Sequence, residues 1–128
     1  MIKNISNLGD AALYCDFGNE VNKEINSLVI RYFKTLKLKK IDGINNLTPS
    51  YNKLIINFDL AETNFNKIKT ILENINIVES KNKISKKVRI PVCCDIEFAL
   101  DLEELSKRLK ISTKQILDFV FSKSYYCY

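Results

Sequence analysis

The feature that most constrains the fold is an apolar repeat in the first third of the chain. Apolar residues recur at spacings of three and four, at Val21, Ile25, Leu28, Val29, Tyr32, Phe33 and Leu36. This spacing places them on one face of a helix of about five turns, with Asn22 or Asn19 as its cap. Because a helix with one apolar face must pack that face against another element, the sequence predicts a layered domain.

Four short segments with turn residues between them predict the sheet that this helix covers. Gly9 and Asp10 form a turn pair between the first two segments, and glycine tolerates the positive φ that such turns require. Pro49 and the polar residues after it mark the turn between the last two. The predicted strands cover residues 2–8, 11–17, 44–48 and 53–58.

A second amphipathic helix completes the predicted domain. Its buried face carries Phe65, Ile68, Leu72 and Ile75, and Thr63 is its expected cap. The order of elements is therefore ββαββα. Two helices on one side of a four-stranded antiparallel sheet make a complete two-layer core, so we predict an α+β sandwich.

The rest of the chain is predicted to form a linker and a smaller second segment. The expected domains are the ββαββα domain, a basic linker and a connecting segment, at residues 1–79, 80–87 and 88–128. The connecting segment begins with a strand over residues 88–93 and continues with two short helices. Asp101 with Glu104, and Ser112 with Gln115, have the spacing of capping boxes at the starts of these helices. A terminal strand ends the segment.

The excess positive charge lies in one short stretch. The formal net charge at pH 7 is +5. Five basic residues account for it, namely Lys81, Lys83, Lys86, Lys87 and Arg89, because the rest of the chain has 15 basic and 15 acidic residues. Five acids follow without a base between them, at Asp95, Glu97, Asp101, Glu103 and Glu104. Nucleic-acid binding usually needs a broader positive face, so the charge pattern favours other functions.

The sequence has no signal for a membrane or for secretion. No apolar run approaches the roughly 20 residues that a spanning helix needs. The first residues lack both the basic start and the apolar core of a signal peptide. We therefore expect a cytoplasmic protein with no membrane partner, in which the four cysteines are reduced thiols.

Several kinds of catalytic and binding site need residues, or a spacing of residues, that this chain does not have. The chain has no histidine, which excludes Ser-His-Asp and Cys-His nucleophiles and imidazole zinc sites. Gly9, Gly18 and Gly43 are too far apart to form a glycine-rich phosphate loop. Neighbours on a strand point to opposite faces, so Cys93 and Cys94 cannot chelate one ion. We expect one of these two thiols to be buried and the other to lie at the surface.

Three acidic residues are the remaining candidates for acid/base catalysis. Asp10, Asp16 and Asp59 could form a general acid/base set. Two of them lie at turns or strand ends, where carboxylates commonly accept hydrogen bonds from backbone N–H groups. The structural interpretation is favoured for each.

The two short helices after residue 100 resemble a helix-turn-helix. They are joined at Lys110 and Ile111, and the second helix would present Lys114, Gln115 and Asp118 outward. The acids at 101–104 oppose contact with phosphate groups. Duplex DNA is therefore an unfavoured partner.

The last five residues form an aromatic, strand-like segment. We expect it to continue into another element or to pair with one, because an aromatic edge strand in water invites association. The expected interface residues are Val120, Phe121, Tyr125, Tyr126 and Tyr128. The alternative is a strand that packs back onto its own domain.

Three motifs spread over the whole chain resemble one family. The first comprises Gly9-Asp10-Ala11-Ala12-Leu13 and Phe17-Gly18, and the second comprises Pro49-Ser50-Tyr51, Leu54-Ile55-Ile56 and Phe58-Asp59. The third and most specific comprises Val88-Arg89-Ile90-Pro91-Val92-Cys93, Phe98, Asp101-Leu102-Glu103-Glu104, Ser122 and Tyr125 to Tyr128. The family is that of the 5-oxoprolinase B subunit, also met as allophanate hydrolase subunit 1 and as the Kip-type inhibitor of a sporulation kinase. Its motif positions here are Gly9, Asp10, Pro49, Ser50, Tyr51, Asp59, Pro91 and Asp101.

The resemblance implies a fold and a reaction. This half of the family's proteins is a two-layer ββαββα domain, and complete members continue into a cyclophilin-like β-barrel, so the chain would be the N-terminal half of a longer protein. Together with the A and C subunits, of which the C type is homologous to it, the complete protein would open 5-oxoproline to glutamate at the expense of ATP. ATP is expected to bind elsewhere in that complex, and this half is assigned no metal and no catalytic residue.

The sequence leaves two further functions open. Kip-type relatives imply a regulator that binds a sensor histidine kinase and inhibits it. The helix pair implies a small DNA-binding module. The oxoprolinase and kinase-inhibitor hypotheses belong to the same family and share the same N-terminal half, so the motifs do not separate them.

Overall fold

The computed structural model describes residues 1–78 and 86–128. The described residues fall into two compact units, residues 1–78 with Tyr128 and residues 86–127. The elements of the first unit are β1 (Asn4–Asn7), β2 (Ala12–Asp16), α1 (Lys23–Lys39), β3 (Ile44–Pro49), β4 (Lys53–Phe58) and α2 (Phe65–Asn74). The second unit contains α3 (Leu102–Leu109) and α4 (Thr113–Phe121). The predicted ββαββα order and the α+β class are confirmed. The predicted linker, residues 80–87, lies outside the described residues except for Lys86 and Lys87.

The sheet of the first unit is antiparallel throughout, with strand order β1-β2-β4-β3. Leu13 pairs with Ile56 and Cys15 with Leu54 across the two central strands. Side chains alternate between the two faces of a strand, so these four point to the same side of the sheet. All four are fully buried, which identifies this side as the core side.

The core lies between this face of the sheet and the two helices. Its buried members are Leu13, Cys15, Phe17, Val29, Tyr32, Leu36, Leu54, Ile56, Phe58, Ile68 and Leu72. The rings of Phe17 and Tyr32 meet edge to face, with centroids 5.2 Å apart. Burying each large apolar side chain contributes roughly 1.5–3 kcal/mol, so this cluster supplies most of the driving force for folding the unit.

Both helices of the first unit begin at an asparagine cap. The Asn22 side chain accepts a hydrogen bond from the Ile25 N–H at 2.8 Å, as one of the two predicted caps would. The cap of α2 is Asn64, which accepts from the Lys67 N–H at 3.0 Å, so the prediction of Thr63 was wrong. Thr63 is instead buried, and its methyl carbon would lie only 2.6 Å from a Cβ added at Gly43.

The second unit is a pair of short helices with a defined turn between them. Lys110 adopts a left-handed conformation, and the Ser106 hydroxyl donates to the Ile111 carbonyl at 2.6 Å. The predicted capping box of α4 is confirmed: the Gln115 N–H donates to Ser112 Oγ, and the Ser112 N–H donates to Gln115 Oε1.

Two predictions for the second unit were wrong. Asp101 precedes α3 but makes no capping bond, because its backbone is already helical (φ −96°, ψ −5°) rather than extended as at most caps. Residues 88–93 and 124–128 have no regular secondary structure, so neither predicted strand forms. A strand needs a neighbouring backbone to bond with, and the sheet of the described residues consists of β1, β2, β4 and β3.

Among residues 1–78 and 86–128, none of the helices has the length and apolar character needed to span a membrane.

Candidate functional site

The turn residues of the first two motifs lie at the two ends of the sheet, and their apolar residues Leu13 and Leu54-Ile55-Ile56 lie within β2 and β4. Gly9 and Asp10 form the turn between β1 and β2, and Asp59 follows β4. Both turns lie at the same end of the sheet, because the Phe58 N–H donates to the Ala11 carbonyl at 2.9 Å. Asp59 Oδ1 accepts from the Ala61 N–H at 2.8 Å, which gives this carboxylate the turn-forming role that was favoured.

Pro49, Ser50 and Tyr51 lie at the opposite end, in the turn from β3 to β4. The buried Asn26 of α1 donates its side-chain N–H groups to the carbonyls of Ser50 and Tyr51, at 3.4 and 3.3 Å. The Ser50 N–H also donates to the Lys53 carbonyl at 2.8 Å. These bonds fasten the turn to α1 and leave the Tyr51 ring 47% exposed.

The same end of the sheet carries an ion pair. Lys53 Nζ lies 2.5 Å from Asp16 Oδ1 and also donates to the Gly18 carbonyl at 2.7 Å. Asp16 accepts in addition from the Gly18 N–H at 2.7 Å. The hydrogen bond from Lys53 is the largest of the causes that lower the pKa of Asp16 from its ordinary value of 3.8, although desolvation opposes the shift. The carboxylate is therefore charged at neutral pH and occupied by structural contacts.

The candidate acid/base set is not brought together. Asp10 precedes β2 and Asp16 ends it, so the length of a strand separates them, about 3.3 Å for each residue. Asp59 lies at the Asp10 end. The carboxylates of Asp16 and Asp59 both accept backbone N–H groups, as the structural interpretation holds.

The cysteines show one prediction to be wrong. Neither Cys93 nor Cys94 is buried: the first is exposed and the second is partly exposed, because the strand that would have turned one thiol into a core does not form. The buried thiol is that of Cys15, and burial raises its pKa to about 12. In the described parts of the chain, no three His, Cys, Asp or Glu residues come close enough to hold a metal ion.

The second unit exposes an unusual amount of apolar surface. Ile116 is its single buried residue among those described. The predicted interface residues in this unit are all exposed, at 40% for Val120, 54% for Phe121, 72% for Tyr125 and 42% for Tyr126. The fifth, Tyr128, is grouped with the first unit and is 45% exposed. The Tyr125 hydroxyl donates to the Val120 carbonyl at 3.0 Å, which holds this ring against the end of α4.

Sequence reasoning missed further exposed apolar residues of this unit. Phe119 is 62% exposed, with Lys123 Nζ 4.1 Å from its ring centroid, and Phe98 and Leu100 are 65% and 82% exposed. The signal that could have found them is helix length, since helices of 8 and 9 residues cannot cover so many apolar side chains. We call Phe119, Val120, Phe121 and Tyr125 the α4 apolar surface.

The side-chain contacts of α3 and α4 argue against the helix-turn-helix hypothesis. Gln115, the side chain best suited to read a base edge, is held in the capping box of Ser112. Arg108 is paired with Glu104 at 2.6 Å. Two groups that would serve DNA contact are thus occupied locally.

Comparisons with known proteins agree over nearly the whole chain. A family model described as "Carboxyltransferase domain, subdomain C and D" matches residues 3–128. A curated relative, the 5-oxoprolinase B subunit from Bacillus subtilis (strain 168), is 27% identical over an alignment that covers 97% of this chain and 57% of the relative. The chain therefore spans little more than half the length of that protein.

Solved structures share the fold. A conserved uncharacterized protein from Pyrococcus horikoshii superposes with a TM-score of 0.54 at 24% identity, covering 98% of this chain and 58% of its own. A crystal structure of TTHA0988 gives a TM-score of 0.65 at 23% identity, over 84% of this chain and 21% of its own. At these identities the likeness supports the fold and no more.

Proposed function

Since this chain belongs to the family of the carboxyltransferase domain, subdomain C and D, we propose that it is the N-terminal part of a B-type 5-oxoprolinase subunit. In this proposal the complete cytoplasmic protein joins partner subunits of the A and C types. Together they open the ring of 5-oxoproline to give glutamate, with hydrolysis of ATP.

One observation carries the proposal. The family model matches residues 3–128, which include both compact units and all three motifs, and the similarity to the Bacillus subtilis protein covers 97% of the chain. A match that ended with the first unit would have indicated a shared fold element only. The identity of 27% leaves the reaction itself to experiment.

The proposal divides the work between this chain and the rest of the complex. The polar groups of the first unit that are best placed for chemistry are used to hold the fold: Asp16 pairs with Lys53, Asp59 closes a turn and Asn26 fastens another. We therefore place ATP binding and ring opening in the remaining part of the full-length protein and in its partners. This chain would contribute a scaffold and a docking surface.

The docking surface that we assign is the α4 apolar surface. Aromatic residues dominate binding energy at protein interfaces, and Phe119, Phe121 and Tyr125 are each more than half exposed. Covering a side chain of this size contributes roughly 1.5–3 kcal/mol. Binding of a partner surface that covered all three side chains would therefore be stabilised by several such contributions.

Pairing of strands is the mode of docking that fits the neighbouring residues. Val88, Ile90 and Val92 alternate with Arg89, Pro91 and Cys93, and the three apolar members are 66%, 77% and 60% exposed. This alternation is typical of a half-buried strand, yet the segment has no strand to pair with in the described parts of the chain. A partner that supplied a strand edge would complete both the hydrogen bonds and the apolar face.

The experiment that tests the proposal is deletion of the full-length gene, followed by measurement of cellular 5-oxoproline. Accumulation that is reversed by the intact gene supports it. An unchanged level would favour the regulatory hypothesis, and inhibition of histidine kinase autophosphorylation by the purified full-length protein would then be measured.

A further inference from the structure

Helix α1 concentrates positive charge on a part of the first unit to which no role has yet been given. From Lys23 to its cap at Lys40, the segment contains six basic residues and one acidic residue, Glu24. This local excess of five is as large as that of the separate basic stretch at residues 81–89, and acidic residues elsewhere in the chain offset it. An excess of this kind on one helix marks a candidate interaction surface.

Several of these charged residues lie on the side of α1 that faces away from the core. The buried side of the helix carries Asn26, Val29, Tyr32, Thr35 and Leu36. Ile30, Lys34 and Leu38 follow one another at intervals of four on the opposite side, where helical residues are neighbours. Arg31 and Lys37 flank this line. Leu38 is 71% exposed, whereas Ile30 and Arg31 are partly exposed. We call these five residues the basic face of α1.

The helix itself explains only part of this pattern. Cations near a helix C-terminus are stabilised by the helix dipole, which accounts for Lys37 and Lys39. The dipole does not account for Arg31 and Lys34 in the middle of the helix, and it gives no reason for a leucine left in water at Leu38. The Nε atom of Arg31 is buried and has no hydrogen-bond acceptor among residues 1–78 and 86–128.

Apolar side chains ringed by cations fit an acidic protein surface better than a membrane or a nucleic acid. The apolar side of α1 is packed in the core, so the helix cannot insert it into a lipid surface. Nucleic-acid backbones reward cations but give no partner to Ile30 and Leu38. Protein interfaces combine apolar anchors with a charged rim, and both features are present here.

We propose that the basic face of α1 is a docking site for an acidic amphipathic helix of a partner protein. Leu38 and Ile30 would contact apolar side chains of the partner, spaced two turns apart. Arg31, Lys34 and Lys37 would pair with carboxylates on either side. This proposal goes beyond the oxoprolinase assignment and does not depend on it, because it rests on the contacts and charges of α1 alone.

The test is a titration of the isotopically labelled intact chain with a synthetic acidic helix-forming peptide of Leu and Glu, followed by NMR. The expected result is that shift changes centre on Ile30, Lys34 and Leu38 and that the peptide binds more weakly as salt rises. Replacing Lys34→Glu and Lys37→Glu together should weaken binding about tenfold or more. Leu38→Ala should weaken it about threefold or more without unfolding the chain, because the side chain is exposed.

The matched control is the double charge reversal Lys67→Glu and Lys69→Glu on α2, which should leave peptide affinity within about twofold. Circular dichroism checks that every variant is folded. Absence of peptide binding would overturn the proposal, as would equal losses in the α1 and α2 variants. Shift changes on α1 with duplex DNA or anionic vesicles, but not with the peptide, would also overturn it.

Discussion

Lys53 and Asp16 face each other directly across the two central strands, and their charged groups lie 2.5 Å apart. The pair stands next to Gly18, whose N–H donates to Asp16 and whose carbonyl accepts from Lys53. One ion pair thus fastens β2 to β4 and fixes the loop that leads into α1. It is the most interconnected polar contact among the described residues of the first unit.

Stability is predicted to fall in acid because of this pair. Lys53, through its hydrogen bond, is the main cause that holds the pKa of Asp16 below its ordinary 3.8. A carboxyl whose pKa is lower in the folded state stabilises the fold above its unfolded pKa and loses that contribution as pH falls through its folded pKa. Denaturant unfolding from pH 7 to pH 2 should show the loss below about pH 4.

The variant Asp16→Asn isolates that contribution. It should lower the free energy of unfolding at pH 7 by about 1 kcal/mol, the upper range for a pair with partly exposed side chains. It should also flatten the acid slope. Asp10→Asn, at an exposed turn, is the control and should change neither. An acid slope that is the same in wild type and Asp16→Asn would show that the pair is not its source.

The Asn26 side chain is predicted to hold the turn that presents Tyr51. Asn26→Ala removes both bonds to the carbonyls of Ser50 and Tyr51, so we expect a loss of about 1–2 kcal/mol in the free energy of unfolding. Amide hydrogen exchange in residues 50–53 should accelerate. Asn66→Ala on the exposed side of α2 is the matched control and should leave exchange in this turn unchanged.

Two glycine replacements should differ in cost because of one neighbour. Gly43 and Gly9 both have positive φ, at +79° and +65°. An added Cβ at Gly43 would lie 2.6 Å from Thr63 Cγ2, whereas one at Gly9 meets nothing within 4 Å. Gly9→Ala should cost about 1 kcal/mol of backbone strain, and Gly43→Ala should cost about 1–3 kcal/mol more. Thermal unfolding measures both, and equal costs would contradict the described packing of Thr63.

Thiol reactivity should separate the four cysteines. Burial raises the pKa of Cys15 to about 12, so it presents almost no thiolate near pH 8. Cys93 and Cys127 are exposed and should react quickly with a thiol reagent, and the partly exposed Cys94 should react more slowly. Mass spectrometry of the labelled native protein should find Cys15 unmodified until denaturant is added. Labelling of Cys15 at the rate of Cys93 would contradict the described core.

The α4 apolar surface should make the isolated chain associate with itself. Sedimentation at rising concentration should show species heavier than the monomer, and Phe119→Ser with Phe121→Ser should reduce them. Leu60→Ser, which removes a leucine that is also 60% exposed, is the control and should have little effect. A wild-type chain that stays monomeric at high concentration would show that these aromatics are not an association surface.

The sequence predicted correctly those features that depend on a local pattern of residues. Residues 53–58 form a strand with the predicted limits, because alternation between Leu54, Ile56 and Phe58 and their neighbours coincides with turn residues on either side. Asn22 and Ser112 cap helices as their positions predict. These outcomes depend on contacts within a few residues or on a single periodicity.

The wrong predictions concern residues whose structure depends on contacts with residues distant in sequence. Thr63 has the right chemistry to cap α2, but its side chain is buried close to Gly43, and the next residue, Asn64, is the cap. Residues 88–93 have the alternation of a strand, yet a strand forms only where a second backbone lies alongside. By contrast, the separation of Asp10 from Asp16 by the length of β2 follows from their spacing in the sequence, and Asp16 and Asp59 accept backbone N–H groups as expected.

The proposed function is tested best by the 5-oxoproline content of cells that lack the full-length gene. We expect 5-oxoproline to accumulate in these cells. The intact gene should restore the wild-type level, and a gene carrying Phe119→Ser with Phe121→Ser should restore it less completely. A 5-oxoproline level that does not change on deletion would contradict the assignment to a 5-oxoprolinase.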